Sequence, residues 1–443
     1  MTKKRIALFL VLILVFSLFP LNIYAAENKN KEITIAPSHD KTGLTDFENL
    51  RNALRDYDTI NLIAGKTYII GGKKNGIVKG ALDVDSNTTI NAKGATIKQV
   101  NPGKGIFKTT QTATGGGYSA MVNVTINGGT YIGSTKKSNT FSLVKFFHGN
   151  NIQIRNATFK NVYTGHLLEL AGCKNVLVEN CYFGGKYSEK YNTKNEAVEL
   201  DNCSEGCLTL PSKKSYDNTA CQNITFRNNT VVFSRTFGSH FTYGKGKGKF
   251  NRNIYVYNNK LTSTADTGLL VFNWYDSIIE NNTIKGKTVG VDIVTCFKDT
   301  YKDFAGGYSA VSKNNSKPYN ISLKNNKISS EKGYALWIRG ISKRPISGIY
   351  AENNILQTNQ GYSSDRRSAI RVEYGTSKNK SGVVINKNTV KNAKTQYFAY
   401  VTDSQSVKIN SNKFYYKNAK IQPAVKFYIC KNCSASKNSV KKA

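Results

Sequence analysis

Apolar and polar positions alternate with a period of two along most of this chain, and the alternation is cut into short units of one recurring form. The form is Asn, apolar, any, apolar, any, Asn, Asn, any, apolar. It reads NVTINGGTY at 123–131, NIQIRNATF at 151–159, NVLVENCYF at 175–183, NITFRNNTV at 223–231 and NIYVYNNKL at 253–261. It returns as DSIIENNTI (276–284), NISLKNNKI (320–328), GIYAENNIL (348–356), GVVINKNTV (382–390) and SVKINSNKF (406–414). Successive starts are commonly 23 to 30 residues apart. A period this short with strand alternation inside it predicts one coil of a β-solenoid per repeat. A single coil cannot bury its own apolar face, so the coils must stack into one domain, all-β, of about 10–13 coils.

The Asn at the seventh position (Asn229, Asn259, Asn282, Asn326, Asn354, Asn388, Asn412) is predicted to stack coil upon coil in a turn that tolerates left-handed backbone. Cys181 takes the same slot. At the N-terminal end, Thr45 and Glu48 form a capping-box pattern, and Phe47, Leu50, Ala53 and Leu54 share one helical face. This predicts a lid helix at about 45–56 that covers the first coil. There follow Ala-Gly-Lys-Thr-Tyr at 64–68 and Asn-Ala-Lys-Gly-Ala-Thr-Ile at 91–97. The helix and these two segments together resemble the opening of the pectate-lyase-like superfamily. The resemblance implies a single right-handed parallel β-helix with a short N-terminal capping helix. It does not select an activity, because that superfamily holds hydrolases, lyases, esterases, epimerases and phage adhesins.

Lys3, Lys4 and Arg5 precede an apolar run, Ile6 to Leu21, and small residues Ala25 and Ala26 follow. This predicts a signal peptide at 1–26, a mature β-helix domain at 27–443, and a secreted protein with no membrane span after cleavage. Lys and Arg number 63 against 28 Asp and Glu, a net charge of +35. On an exported chain that balance points to an anionic polysaccharide as partner, with cell-wall association through charge, and away from nucleic acid. Oligomeric state is not encoded legibly, and a monomer is the default. Eight cysteines on a chain bound for an oxidising compartment permit disulfides. Five of them fall between 173 and 221, and Cys203 with Cys207 or Cys221 would brace the irregular insertion at about 202–220. Zinc spacing is not evident in the sequence.

A second strand per coil carries the candidate chemistry. In Glu196 to Asp201, Val198 and Leu200 point inward and Glu199 outward; in Gly165 to Leu170, Glu169 points outward. Following that outward position through later coils gives His240, then Leu270 or its neighbours Asn273 and Trp274, Asp292, Trp337 with Arg339, and Arg371. Glu169 and Glu199 on adjacent coils would repel if both were ionised, so one of them should have a raised pKa and serve as general acid. Glu169, Glu199, Asp201 and His240 are the predicted catalytic set. His166, Glu196, Asp217, Arg235, Tyr243, Asn273, Trp274, Asp292, Trp337, Arg339 and Arg371 are the predicted substrate-binding set. Arg235 or Arg339 would neutralise a uronate, and His240 or Tyr243 would be the base of an elimination. Polygalacturonase-type members of the superfamily show a similar order of residues, but their paired Asp-Asp, Gly-His-Gly and Arg-Ile-Lys motifs are absent here. The pattern favours cleavage of a uronic-acid polymer, hydrolysis narrowly ahead of elimination, with a non-catalytic wall-binding adhesin as the rival. No cofactor is required, although the carboxylates leave room for Ca²⁺.

Overall fold

The structure is a computed structural model that describes residues 31–101, 105–110, 116–136, 141–187, 195–203, 216–239, 250–294, 319–340, 345–359, 368–376, 382–393, 395–416 and 423–443. The predicted signal peptide, the middle of the 202–220 insertion, His240, Tyr243, Cys207 and Cys296 lie outside these residues.

Each coil contributes one strand to each of three long sheets, of 15, 13 and 12 strands, and every pairing within them is parallel. The chain is thus a right-handed parallel β-helix, and the strand period of the repeats becomes an inside and an outside. In Gly149–Arg155 the inward Ile152 and Ile154 are fully buried, between residues that keep contact with solvent. Parallel stacking also stacks like on like: the rings of Tyr131 and Phe159 lie 5.1 Å apart, and those of Phe159 and Phe183 5.0 Å. Such offset aromatic contacts add to the area they bury.

The seventh-position asparagines form a continuous buried ladder. The Asn259 side-chain amide donates to Asn282 Oδ1 at 2.9 Å and to the Phe226 carbonyl at 2.9 Å, while the Asn259 backbone N–H reaches the same Asn282 oxygen at 2.8 Å. The pattern runs from Asn229 to Asn412 and ends on Asn438. Cys181 joins it through its backbone N–H, which donates to Asn229 Oδ1. The left-handed backbone, however, falls one residue earlier than the pattern suggests, at Asn228, Asn258, Asn281, Asn325 and Asn353. The ladder amide needs the ordinary conformation to point inward, and the turn is made by its neighbour.

The N-terminal helix spans Thr45–Asp56 and buries Phe47, Leu50, Ala53 and Leu54 against the first coil. Its cap is not the Thr45–Glu48 box. Leu44 is the N-cap without a side-chain bond, Glu48 pairs with Arg51, and Asp40 accepts from the Thr45 backbone N–H and hydroxyl. Buried Asp46 accepts from the backbone N–H groups of Ser38 and Ile69 and so ties the lid to the coil. Among the described residues no helix is long and apolar enough to cross a membrane.

All six described cysteines, Cys173, Cys181, Cys203, Cys221, Cys430 and Cys433, are free thiols. The expected brace from Cys203 to Cys221 is not made, because each thiol turns to a backbone carbonyl instead, Cys203 to Ala171 and Cys221 to Leu170.

Candidate functional site

The 12-stranded sheet carries the outward stripe, and its register can be followed coil by coil. The aligned positions are Asp83, Lys108, Lys145, Glu169, Glu199, Gly238, Leu270, Asp292, Trp337, Arg371, Tyr400 and Lys426. Glu169, Glu199, Asp292, Trp337 and Arg371 therefore stand in one column, and Asp201 lies two residues beyond Glu199 on the same strand, Glu196–Asp201. At the coil between Gly238 and Asp292 the column is held by Leu270. Trp274 is instead a core residue with no exposure; its indole N–H donates to Ser239 Oγ at 2.7 Å, and its strand pairs in a different sheet. Asn273 is buried at the left-handed turn before it. Neither belongs to the stripe, because the chain turns the corner between sheets after Phe272.

The acid end of the column is buried, not solvated: Glu169, Glu196, Glu199 and Asp201 are all under 5 % exposed. Four carboxylates survive there because most are matched by a cation or donor on an adjacent coil. Lys145 Nζ lies 3.1 Å from Glu169 Oε1, and the Ser142 hydroxyl donates to the other oxygen. His166 Nε2 contacts Glu199 Oε2 while its Nδ1–H donates to the Glu196 carbonyl at 2.8 Å. Arg235 reaches Glu196 Oε1 at 3.2 Å and binds Asp266 through Nε at 2.8 Å. Two oxygens of the cluster, Glu169 Oε1 and Asp201 Oδ1, are buried with no hydrogen-bond partner among the described residues, and of these Glu169 Oε1 has the Lys145 ammonium beside it as an ion pair.

These surroundings divide the protonation states. Burial raises the Asp201 carboxyl well above the usual range, and the neighbouring charges of Glu199 and Glu169 push it further. Burial opposes the Glu169 charge too, but Lys145, His166 and Ser142 overcome it and hold that carboxyl below its ordinary value. Burial would lower His166, yet Glu199 and the other carboxylates lift it to about 9. The expectation of a raised pKa is thus corrected at Glu169. The raised acid is Asp201, where burial and the charges of Glu199 and Glu169 outweigh the attraction of Lys145.

The arginines are also spoken for. Arg339 binds Asp292 in a bidentate pair, at 3.0 and 2.6 Å, and its guanidinium lies 4.0 Å from the Trp337 ring centre. Arg371 pairs with Glu373 between the rings of Tyr334 and Tyr400. Arg235 and Arg339 therefore sit in ion pairs where free neutralisers of a uronate were expected, because opposite charges one coil apart find each other at the inter-strand spacing. Asp217, expected among the substrate-binding residues, accepts from Gly117 and Thr219 and faces His148. The positions that sequence reasoning missed, Lys145 and Tyr400, obey the same alternation and could have been read from it: Val144 and Phe146 flank Lys145 inward, Ala399 and Val401 flank Tyr400.

Among the described residues two sets of metal-type donors come within 4.8 Å of one another, His166 with Glu196 and Glu199, and His148 with Cys203 and Asp217. The first already holds the Arg235 guanidinium, and its nitrogen donor suits Ca²⁺, which takes six to eight oxygens, poorly.

Comparison places this geometry on a known scaffold. No protein-family model matches the chain. In sequence it is 27 % identical over 154 residues to the plasmin and fibronectin-binding protein A of Streptococcus pneumoniae, a match covering 33 % of this chain and 21 % of that protein. In structure it superposes on PfbA, a surface adhesin of Streptococcus pneumoniae, with a TM-score of 0.57 at 18 % identity, over 88 % of this chain and 86 % of that one. The chain has the pectin-lyase-like parallel β-helix fold. That fold is shared by the A-module of the Azotobacter vinelandii mannuronan C-5 epimerase AlgE6, with a TM-score of 0.56 at 12 % identity over 87 % of this chain and 91 % of that module. A Yersinia enterocolitica family 28 exopolygalacturonase shares it too, with a TM-score of 0.53 at 12 % identity over 87 % of this chain and 74 % of that one. Relatives this distant share architecture, so the chemistry must be argued from the column itself.

Proposed function

We propose that this protein is an extracellular enzyme that cleaves an acidic polysaccharide lying along the outward column of the 12-stranded sheet. The observation that carries this reading is the split among neighbouring buried carboxyls. Burial and its acidic neighbours push the Asp201 carboxyl well above its ordinary range, while Lys145, His166 and Ser142 hold Glu169 below its own. A protonated acid beside ionised carboxylates is what glycosidic cleavage needs, one group to donate to the leaving oxygen and another to attack or to activate water. Asp201 is the general acid. Glu199, oriented by His166, is the nucleophile or base, and Glu169 with Lys145 positions it. Adjacent coils put Glu169 and Glu199 about 4.8 Å apart, and residues two apart on a strand, such as Glu199 and Asp201, are separated by about 6.5 Å, spacings near those of retaining and inverting hydrolases. The excess of 63 basic over 28 acidic residues favours a uronate-bearing polymer.

The likeness to a surface adhesin supports a second reading, a wall-bound protein for which the column is a binding face only. Turnover separates the two. Across a panel of uronic-acid polymers, reducing ends should appear with the native chain, and Asp201→Asn or Glu199→Gln should cut kcat by about 10²- to 10⁴-fold while retention on the polymer persists. An ultraviolet-absorbing unsaturated product would reassign the reaction as elimination. Binding without turnover by the native chain on every polymer would leave the adhesin.

A further inference from the structure

A second cluster of donors lies just past the column, where three distant parts of the chain meet, and no step of the proposed cleavage uses it. We infer that His148, Cys203 and Asp217 form a binding site for a divalent cation of zinc type. His148 follows the strand Val144–Phe147, Cys203 stands two residues beyond the strand Glu196–Asp201, and Asp217 returns on the far side of the insertion. One donor atom from each lies within 4.8 Å of the others, and His148 Nε2 is 3.6 Å from Asp217 Oδ1. Ligands bound to Zn²⁺ at 2.0–2.3 Å in a tetrahedron stand about 3.3–3.8 Å apart, so the donor atoms need to close by roughly 1.5 Å at most.

The surroundings orient these donors as a metal site requires. A carbonyl can only accept, so the 2.6 Å contact between His148 Nδ1 and the Gly117 carbonyl places the ring proton on Nδ1 and directs Nε2 toward Asp217. A backbone carbonyl holding the second nitrogen is the usual support of a metal-bound histidine. The same residue fixes the carboxylate, for the Gly117 N–H donates to Asp217 Oδ2 at 2.7 Å, and Thr219 adds its N–H and hydroxyl at 2.9 and 2.6 Å. Two glycines clear the space. A β-carbon on Gly172, at φ +55°, would lie 2.7 Å from Cys203 Sγ, and one on Gly116 would lie 2.8 Å from Asp217 Oδ2. His148 and Cys203 are fully buried, whereas the Asp217 side chain is 29 % exposed, so the ion enters on the carboxylate side and a water completes its coordination there.

The donor set of one nitrogen, one sulfur and one oxygen selects a borderline cation such as Zn²⁺ over Ca²⁺ or Mg²⁺. Binding replaces the Cys203 S–H, which now donates to the Ala171 carbonyl at 3.1 Å, by a metal–thiolate bond, and the thiol proton leaves to solvent. The ion would lock together the turns that end the Lys145 and Asp201 strands, independently of whether the carboxylates cleave anything.

Cobalt reports on this directly. The full chain, stripped with chelator under reducing conditions and titrated with Co²⁺, should bind one equivalent with a near-ultraviolet thiolate-to-cobalt charge-transfer band that Zn²⁺ abolishes. Cys203→Ser should lose the band, Asp217→Asn should weaken binding by about 10-fold or more, and Cys430→Ser/Cys433→Ser should bind as the native chain does. In case Cys203→Ser fails to fold, alkylation of the native chain with and without Zn²⁺, followed by peptide mass spectrometry, should show protection of Cys203. Absence of the band in the native chain overturns the assignment. So does a band that survives Cys203→Ser or vanishes in the Cys430/Cys433 variant, or protection confined to other thiols.

Discussion

Replacing Asn326 by alanine tests the ladder on which the whole solenoid rests. Its side-chain amide donates to the Ile279 carbonyl at 2.9 Å, the Lys324 carbonyl at 2.8 Å and Asn354 Oδ1 at 2.9 Å. Its oxygen accepts from the Asn282 backbone N–H at 2.9 Å and side-chain amide at 3.0 Å. All of this happens at 1 % exposure. Alanine removes five hydrogen bonds and strips the buried Asn282 N–H of its acceptor. An orphaned buried donor costs about 1–3 kcal/mol, and the remaining bonds contribute roughly 1 kcal/mol each before relaxation, so a loss of about 4 kcal/mol is expected. Asn91→Ala is the control, since its single amide bond to Asn61 at 2.9 Å lies half-buried and should cost about 1 kcal/mol or less. Urea unfolding followed by far-ultraviolet circular dichroism gives both values, with the midpoint shifting and the slope held. A loss below about 1 kcal/mol for Asn326→Ala, or one equal to that of Asn91→Ala, refutes the claim that the ladder is a stabilising element.

The remaining predictions concern the buried charges. His166 is held at about 9, above the 6.5 of an unpaired histidine, so its contribution is fully present below pH 6.5 and is lost as pH rises through 9. Unfolding free energy measured across that window should fall by roughly 3 kcal/mol in the native chain, and Glu199→Gln, which removes the partner charge, should flatten the slope. A slope unchanged in Glu199→Gln would show that another group titrates. Asp292→Asn leaves the Arg339 guanidinium buried without its bidentate partner and should cost about 3–5 kcal/mol, much of it recovered in Asp292→Asn/Arg339→Met. Equal urea midpoints for the single and double variants would place the cost elsewhere.

The fold was legible because a solenoid writes the same local rule many times. Period-two alternation, a turn asparagine and a short spacing recur in ten units, and each instance corrects errors in the others. The column could be read for the same reason: Glu169, Glu199, Asp292, Trp337 and Arg371 each sit between two inward apolar residues, and parallel stacking in register does the rest. Trp274 misled because aromatic character in a groove suggests sugar contact, whereas burial was decided by the corner after Phe272, which alternation alone does not locate. The ion pairs were out of reach for a different reason. Arg235 meets Glu196 and Asp266 across 39 and 31 residues, and Glu169 meets Ser142 across 27. Which of two outward neighbours pairs with which depends on side-chain direction, and no periodicity encodes that.

Those pairings also decide which residue deserves attention. On a parallel β-helix every outward residue has neighbours about 4.8 Å away on the coils before and after, so a buried charge is tolerable whenever one neighbour is its opposite. This chain uses that device repeatedly, with Lys145 for Glu169, His166 for Glu199, Arg235 for Glu196 and Asp266, and Arg339 for Asp292. Had the acids been placed only to be neutralised, Asp201 would have a partner of the same kind. Instead it is buried beside Glu199 and Glu169, and its Oδ1 has no hydrogen-bond partner among the described residues. A carboxyl pushed up by burial and by neighbouring acids keeps its proton to higher pH than a solvated aspartate does, and in the cleavage proposed above that proton is the one donated to the leaving oxygen.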